Sequence, residues 1–202
     1  MERFLAVNME NSPVNRKRRK ICAALAALGT GGMMTGIASS DQHYGILGLP
    51  APELDIDYWI DRDGSQTGFS IEASRGKWVL LKCFQDWCPG CHSSGFPMLK
   101  QFSNRFWDHP QVAIAGIQTV FEGFSSNTLE DVRKNQLRYE LPITMGHDAG
   151  DPGGDHRPYI MRHYRTGGTP WIILVNPDGV VVHNSYHVNP DALVEYISSQ
   201  VG

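Results

Sequence analysis

Cysteine is scarce in this chain. Four cysteines in 202 residues are too few to staple a protein of this length, so its stability has to come from a buried core, which the chain is long enough to build. Excess charge is also lacking: a net charge of −3 gives no reason to expect nucleic acid as a partner. There is no second Cys-x-x-Cys pair, and His147, His156, His163, His183 and His187 show no tight ligand spacing, so a structural zinc site would be short of its usual four ligands. The uncharged stretch Ile21–Ala38 is barely long enough, and too rich in glycine, for a good membrane-spanning helix, which wants about 20 mostly apolar residues. With 41% hydrophobic and 19% charged residues, disordered and collagen-like chains are excluded as well.

The N-terminus reads as a targeting segment. Arg16, Lys17, Arg18, Arg19 and Lys20 form a basic block, Ile21–Leu28 is apolar, and Gly36 and Ala38 supply small residues before a cleavage point. Basic, apolar, small is the order of a secretory signal; Arg18-Arg19 matches twin-arginine export only loosely. Residues 1–38 are therefore expected to be a signal peptide or N-terminal membrane anchor, 39–52 a linker, and 53–202 one domain. The protein is expected to be exported to the periplasm, soluble or membrane-tethered. Cys22 lies inside the signal and drops out of the chemistry.

Within the domain, Leu54–Ile60 is expected as a strand, Asp63-Gly64 as a turn, and Gly68–Ser74 as the return of a hairpin. Trp78–Phe84 is a nearly continuous apolar run, the pattern of a strand covered on both faces. Met98, Leu99, Phe102 and Phe106 recur at helical spacing, which predicts a helix over Pro89–Trp107, kinked at Pro97. Val112–Val120 is a second buried strand. Thr128 and Asp131 form a capping box opening a helix to about Tyr139. Leu141–Met145 is a short strand, and Tyr159–Tyr164 a short helix. Trp171–Val175 and Val180–Asn184 flank the turn Asn176-Pro177-Asp178-Gly179. Asn189-Pro190 starts a closing helix with Leu193, Val194 and Ile197 on its buried face. The order β-α-β-α-β, then a β-hairpin and a helix, makes an α/β three-layer sandwich with a mixed sheet.

The chemistry is concentrated in Trp87-Cys88-Pro89-Gly90-Cys91, where a strand gives way to a helix. Two cysteines three positions apart on a first helical turn are close enough to exist as dithiol or disulfide. A thiolate at a helix N-terminus is stabilised by partial positive charge and unpaired N–H groups, and Cys88 occupies that place. Cys88 is then the sulfur that attacks a substrate disulfide, and Cys91, one turn in, the one that resolves the mixed disulfide. Cys83, inside the strand, reads as a buried structural cysteine.

The pair Trp87-Cys88-Pro89-Gly90-Cys91 after an apolar strand, with Thr169-Pro170 before a later strand and hairpin, resembles the thioredoxin superfamily. More narrowly it resembles the exported TlpA/ResA-like branch of thiol-disulfide oxidoreductases, whose strand-and-helix insert matches Val112–Met145. The resemblance covers about Pro50 to Val201. It implies a thioredoxin-like three-layer α/β/α fold with an N-terminal β-extension and the β-α insert. It also implies a cis Pro170 against the cysteine pair, Thr169 offering backbone groups to a substrate strand, and Trp87, Pro89 and Gly90 at the substrate groove. A disulfide reductase of protein thiols, fed by a membrane thiol donor and needing no cofactor beyond the Cys88–Cys91 disulfide, is the implied activity. The chain departs from that family in two telling places. Pro97 falls six residues after Cys91, not five, which suggests a bulge or altered first turn. Lys82 stands where the family often has a buried Asp or Asn, so Glu122 is the substitute proton relay that the sequence offers.

The same residues admit other chemistry. Cys88-x-x-Cys91-His92 also spells a c-type haem attachment sequence, although its β-rich surroundings are unlike those helical proteins. Metal binding or transfer through Cys88, Cys91 and a histidine is a further alternative. A thiol peroxidase is the third, without the Pro-x-x-x-Thr-x-x-Cys arrangement that activates a peroxidatic cysteine.

Overall fold

The computed structural model describes residues 44–150 and 154–202. The expected signal or anchor over 1–38, with Cys22, and the first residues of the expected linker lie outside the described residues. Six strands form one sheet: β1 Tyr58–Ile60, β2 Trp78–Phe84, β3 Val112–Thr119, β4 Thr144–Asp148, β5 Trp171–Val175 and β6 Val181–Ser185, in the order β1-β4-β3-β2-β5-β6. β2, β3 and β4 are parallel. β1, β5 and β6 each run antiparallel to their neighbours β4, β2 and β5. The helices are α1 Phe96–Phe106, α2 Leu129–Arg138, α3 Tyr159–His163 and α4 Pro190–Val201.

The sheet separates two apolar layers. On one side Leu80 and Phe84 of β2 meet Phe102 of α1, Val132 of α2 and Ile197 of α4. On the other, Val79, Leu81 and Cys83 meet Ile160 and Tyr164 of the α3 region and Ile46, Leu54 and Trp59 from the N-terminal side. This is the expected three-layer α/β/α sandwich with a mixed sheet. All seven β2 residues are buried because helices or chain cover both faces of a central strand, which is why its sequence is apolar almost throughout. Successive side chains alternate between the faces, so Lys82 points with Leu80 and Phe84 toward α1, and Cys83 points away from it.

Three local expectations change. Gly68–Ser74 is not a returning strand: pairing ends at the Ile60–Gln66 bridge. The Glu53 carboxylate then accepts from Ser70 Oγ, Ile71 N and Glu72 N at 2.9, 2.8 and 3.0 Å, which bends the chain into a 3-10 turn over Glu72–Ser74. β4 begins at Thr144, not Leu141, because Leu141 N–H donates back to Gln136 O and Gln136 Nε2 donates to Ile143 O, so these residues belong to the exit turn of α2. Finally, the described part of the expected linker is tied to the domain: Gly48 N–H and Ala51 N–H donate to Val181 O and Gly179 O, both at 2.8 Å. The capping box of α2 forms, with Thr128 N–H and hydroxyl both donating to Asp131 Oδ2 at 2.9 Å.

Two half-buried histidines give the fold a pH dependence. Burial holds the imidazoles of His147 and His183 below the ordinary histidine range, so both prefer to be neutral when folded and charge more readily when unfolded. The unfolded chain then binds more protons as pH falls through about 6.5, and stability present above that pH is lost below it. The buried Asp148 carboxyl, pushed up by desolvation, acts oppositely nearer pH 4. The urea midpoint should therefore fall between pH 7.5 and pH 5.5, and His147→Gln should reduce that slope; equal midpoints at the two pH values would contradict this account.

Candidate active site

Where β2 ends, Gln85–Trp87 turn the chain and Cys88 becomes the N-terminal boundary of a helix that opens on Pro89 and Gly90. Cys91 N–H donates both to Cys88 O at 3.1 Å and to Cys88 Sγ at 3.3 Å, so a first-turn amide is shared between that carbonyl and that sulfur. Both thiols are free. Cys88 retains 7% exposure while Cys91 has none. Burial pushes the Cys91 thiol up to about 11, against the opposing pull of the Lys82 amine. Of the pair, Cys88 thus keeps a little exposed surface and Cys91 keeps none.

Pro97 does not lie inside a regular α-helix. Cys91–Gly95 form a π-turn in which Phe96 N–H reaches back to Cys91 O, and α1 continues from Phe96 with Pro97 in its opening turn. The wider turn takes up the extra residue between Cys91 and Pro97. Such single π-turns recur at functional sites because they shift side chains by one position without ending the helix.

Thr169-Pro170 enters β5 from the opposite side, and its peptide bond is cis. Cys88 Sγ donates to Thr169 O at 3.6 Å. The Pro170 ring lies against the first turns of the redox helix: a Cβ added to Gly90 or Gly95 would come within 3.2 Å of it. Glycine at those two positions is what permits so close an approach. The sites separated by some eighty residues in sequence therefore meet at one sulfur.

A polar hub that the sequence did not announce holds the loop in place. Asn127 Oδ1 accepts from Asp86 N–H at 2.8 Å, and Asn127 Nδ2 donates to Gly123 O at 2.9 Å. The Asp86 carboxylate accepts from Asn135 Nδ2 and Lys134 Nζ at 2.8 and 3.0 Å. His92 Nε2 donates to Asp86 O, and Nδ1 pairs with the Tyr139 hydroxyl at 2.7 Å. Both imidazole nitrogens are thus engaged in bracing the loop, and neither is offered to a haem iron. Only single polar residues scattered over fifty positions carry this hub, and no local pattern marks it. Among the described residues no three His, Cys, Asp or Glu side chains are grouped as metal ligands would be.

The remaining expected residues fall around the pair. Trp87 is 45% exposed and its indole lies over Gly123, where a Cβ would come within 2.7 Å of Nε1. Phe124, next in sequence to Gly123, is exposed as well. Pro89 is exposed and Gly90 and Thr169 are half-buried. Glu122 is exposed; its backbone carbonyl accepts from Gln85 Nε2 and Asn127 Nδ2, both at 3.2 Å, and its part in holding the loop is played by that carbonyl. Cys83 faces the other apolar layer, and burial pushes its thiol up to about 12. Lys82 is fully buried, on the side of the redox helix.

Comparison with known proteins places this geometry. No family model matches the sequence, and no curated protein matches it. Solved structures do. A thiol-disulfide isomerase from Corynebacterium glutamicum is 30% identical, with 76% of this chain and 96% of that one covered and a TM-score of 0.65. A thioredoxin-like superfamily protein is 29% identical over 76% of this chain and 97% of its own, with a TM-score of 0.66. The thioredoxin domain of a thiol-disulfide oxidoreductase from Bacteroides vulgatus is 25% identical over 78% and 99%, with a TM-score of 0.56. The chain belongs to the thioredoxin superfamily of thiol-disulfide oxidoreductases.

Proposed function

We propose that this oxidoreductase is exported and acts as a reductase of protein disulfides. Cys88 thiolate attacks one sulfur of a substrate disulfide, the other leaves as thiolate, and Cys91 then displaces the remaining substrate sulfur to leave Cys88–Cys91 oxidised. The substrate strand runs beside Thr169 and Pro170, with Trp87, Pro89 and Gly90 against it. A membrane thiol donor returns the pair to the dithiol. The reading is carried by one observation: of the two cysteines only Cys88 keeps any exposed surface, with the Cys91 N–H and the Thr169 carbonyl both turned to its sulfur. Export rests on the basic, apolar, small order of Arg16–Ala38; among the described residues no helix is long and apolar enough to cross a membrane.

Direction is a matter of potential. Equilibration of the Cys88–Cys91 pair with glutathione should return a value near the thioredoxin figure of about −270 mV, as a reductase requires, and a value near about −120 mV would make the protein an oxidant instead.

A further inference from the structure

The antiparallel pairing of β5 and β6 sets Ser185 opposite Ile172, so the next residue, Tyr186, stands beside the entry to β5. Its hydroxyl donates to Gly167 O, and its ring meets Trp171 edge-on at a centroid distance of 4.3 Å. A Cβ on Gly167 would come within 2.8 Å of the Tyr186 hydroxyl oxygen, and one on Gly168 within 2.9 Å. Gly168 also holds φ at 147°, a backbone region open mainly to glycine. The residues just before are fastened too: Asn184 Nδ2 donates to Tyr164 O at 3.1 Å, and Gly45 N–H to Arg165 O at 2.8 Å. The approach to Thr169-Pro170 is thus held from outside at Tyr164, Arg165 and Gly167. Two residues beyond the last of these, Thr169 O is the acceptor that Cys88 Sγ reaches at 3.6 Å.

We propose that Tyr186 is a positioning residue for polypeptide substrates: its hydroxyl, through Gly167 O, holds the Gly167-Gly168 link so that the Thr169 backbone is already in place when a substrate strand arrives. The inference rests on the proposed docking of that strand beside Thr169 and Pro170. Apolar packing accounts for the Tyr186 ring, which lies against Trp171 as Tyr44 does at 6.0 Å. It does not account for the hydroxyl, which reaches one backbone carbonyl of the loop. Glycine gives up more conformational freedom on ordering than any other residue. Two in succession beside the substrate edge would therefore be ordered anew by each substrate unless something else holds them. A loop ordered beforehand removes that cost from binding, so the gain appears as affinity. A small disulfide has no strand to lay along Thr169, and it meets Cys88 on the first turn of the redox helix, away from Tyr186 in the chain. Extended substrates alone should then feel the loss of the hydroxyl.

Two disulfides of different size separate the effects: insulin, with dithiothreitol recycling the pair, and 5,5′-dithiobis(2-nitrobenzoic acid) in single turnover. Tyr186→Phe keeps the ring and removes the hydroxyl. Its KM for insulin is expected to rise about fivefold to tenfold, the usual reach of one neutral hydrogen bond. Its kcat, and its rate of first thionitrobenzoate release, should stay within about twofold of the parent, as for lost binding rather than lost chemistry. Gly167→Ala, whose Cβ would press on the same hydroxyl, should give the same split and serves if Tyr186→Phe fails to fold. Because both changes break one contact, together they should raise KM by less than the product of their separate effects. An unchanged insulin KM in Tyr186→Phe, a fall in kcat with KM unchanged, or independent action of the two changes would overturn the proposal. So would an equal loss on both disulfides, which is what a merely structural role gives. Failure of the parent to reduce insulin while it still releases thionitrobenzoate would instead overturn the proposed docking of a substrate strand, and failure to release even the first equivalent would overturn the proposed role of Cys88.

Discussion

Cys88→Ser is expected to lower disulfide exchange with a model protein disulfide by roughly 10³-fold or more, as removal of an enzyme's nucleophile does. The size of the effect follows from access. Cys91 has no exposed surface and Cys83 has none, so neither can reach a folded substrate when Cys88 is gone. Cys91→Ser should differ in kind: attack proceeds, resolution does not, and a covalent adduct on Cys88 accumulates that non-reducing electrophoresis and mass spectrometry detect. Cys83→Ala should leave exchange unchanged, since its sulfur lies on the other face of the sheet. Full activity in Cys88→Ser, or an adduct carried by Cys91, would sink the assignment of roles.

Phe96→Ala should cost about 3–5 kcal/mol of stability, the usual range for deleting a fully buried phenylalanine. Phe96 is wholly enclosed. Its ring stacks on Tyr139 at a centroid distance of 4.2 Å and an angle of 9°, and meets Phe84 at 4.9 Å. Those contacts join the end of β2, the start of α1 and the C-terminus of α2. They also anchor the residue whose N–H closes the π-turn on Cys91. Guanidinium unfolding followed by tryptophan fluorescence measures the loss; a loss below about 1 kcal/mol would mean that the site collapses around the cavity and that Phe96 does not hold the turn.

The elements nearest the chemistry were the most legible. Trp78–Phe84 and Trp171–Val175 match their expected spans because continuous apolar runs between turn residues have few other solutions. The Thr128–Asp131 cap was readable because its hydrogen bonds are local. The expected hairpin return at Gly68–Ser74 failed because Glu53, some seventeen residues earlier, supplies the acceptor for that segment. The start of β4 slipped for the same reason, since the Gln136 side chain and carbonyl claim the residues just before it. Asp86, Asn127 and Tyr139 carried no signal for this hub, and His92 carried only the misleading one of a haem-attachment pattern; each is an ordinary polar or aromatic residue until the fold brings them together.

The sequence by itself determined that this is an α/β protein with a thiol pair at a strand-to-helix junction. Periodicity and cysteine spacing are short-range properties, and a linear chain displays them directly. It also showed two irregularities, the late Pro97 and the lysine within an apolar strand, without saying what either does. Only the tertiary structure turned the first into a π-turn, because the extra residue has to be absorbed while Phe96 stays in the core. Only the tertiary structure decided the fate of the second: alternation along β2 sets the face on which Lys82 lies, but which groups wait there depends on α1 and the Thr169-Pro170 loop packing onto that face. A residue that a strand pattern would count as a flaw is thereby a buried amine packed against Gly95 of the π-turn.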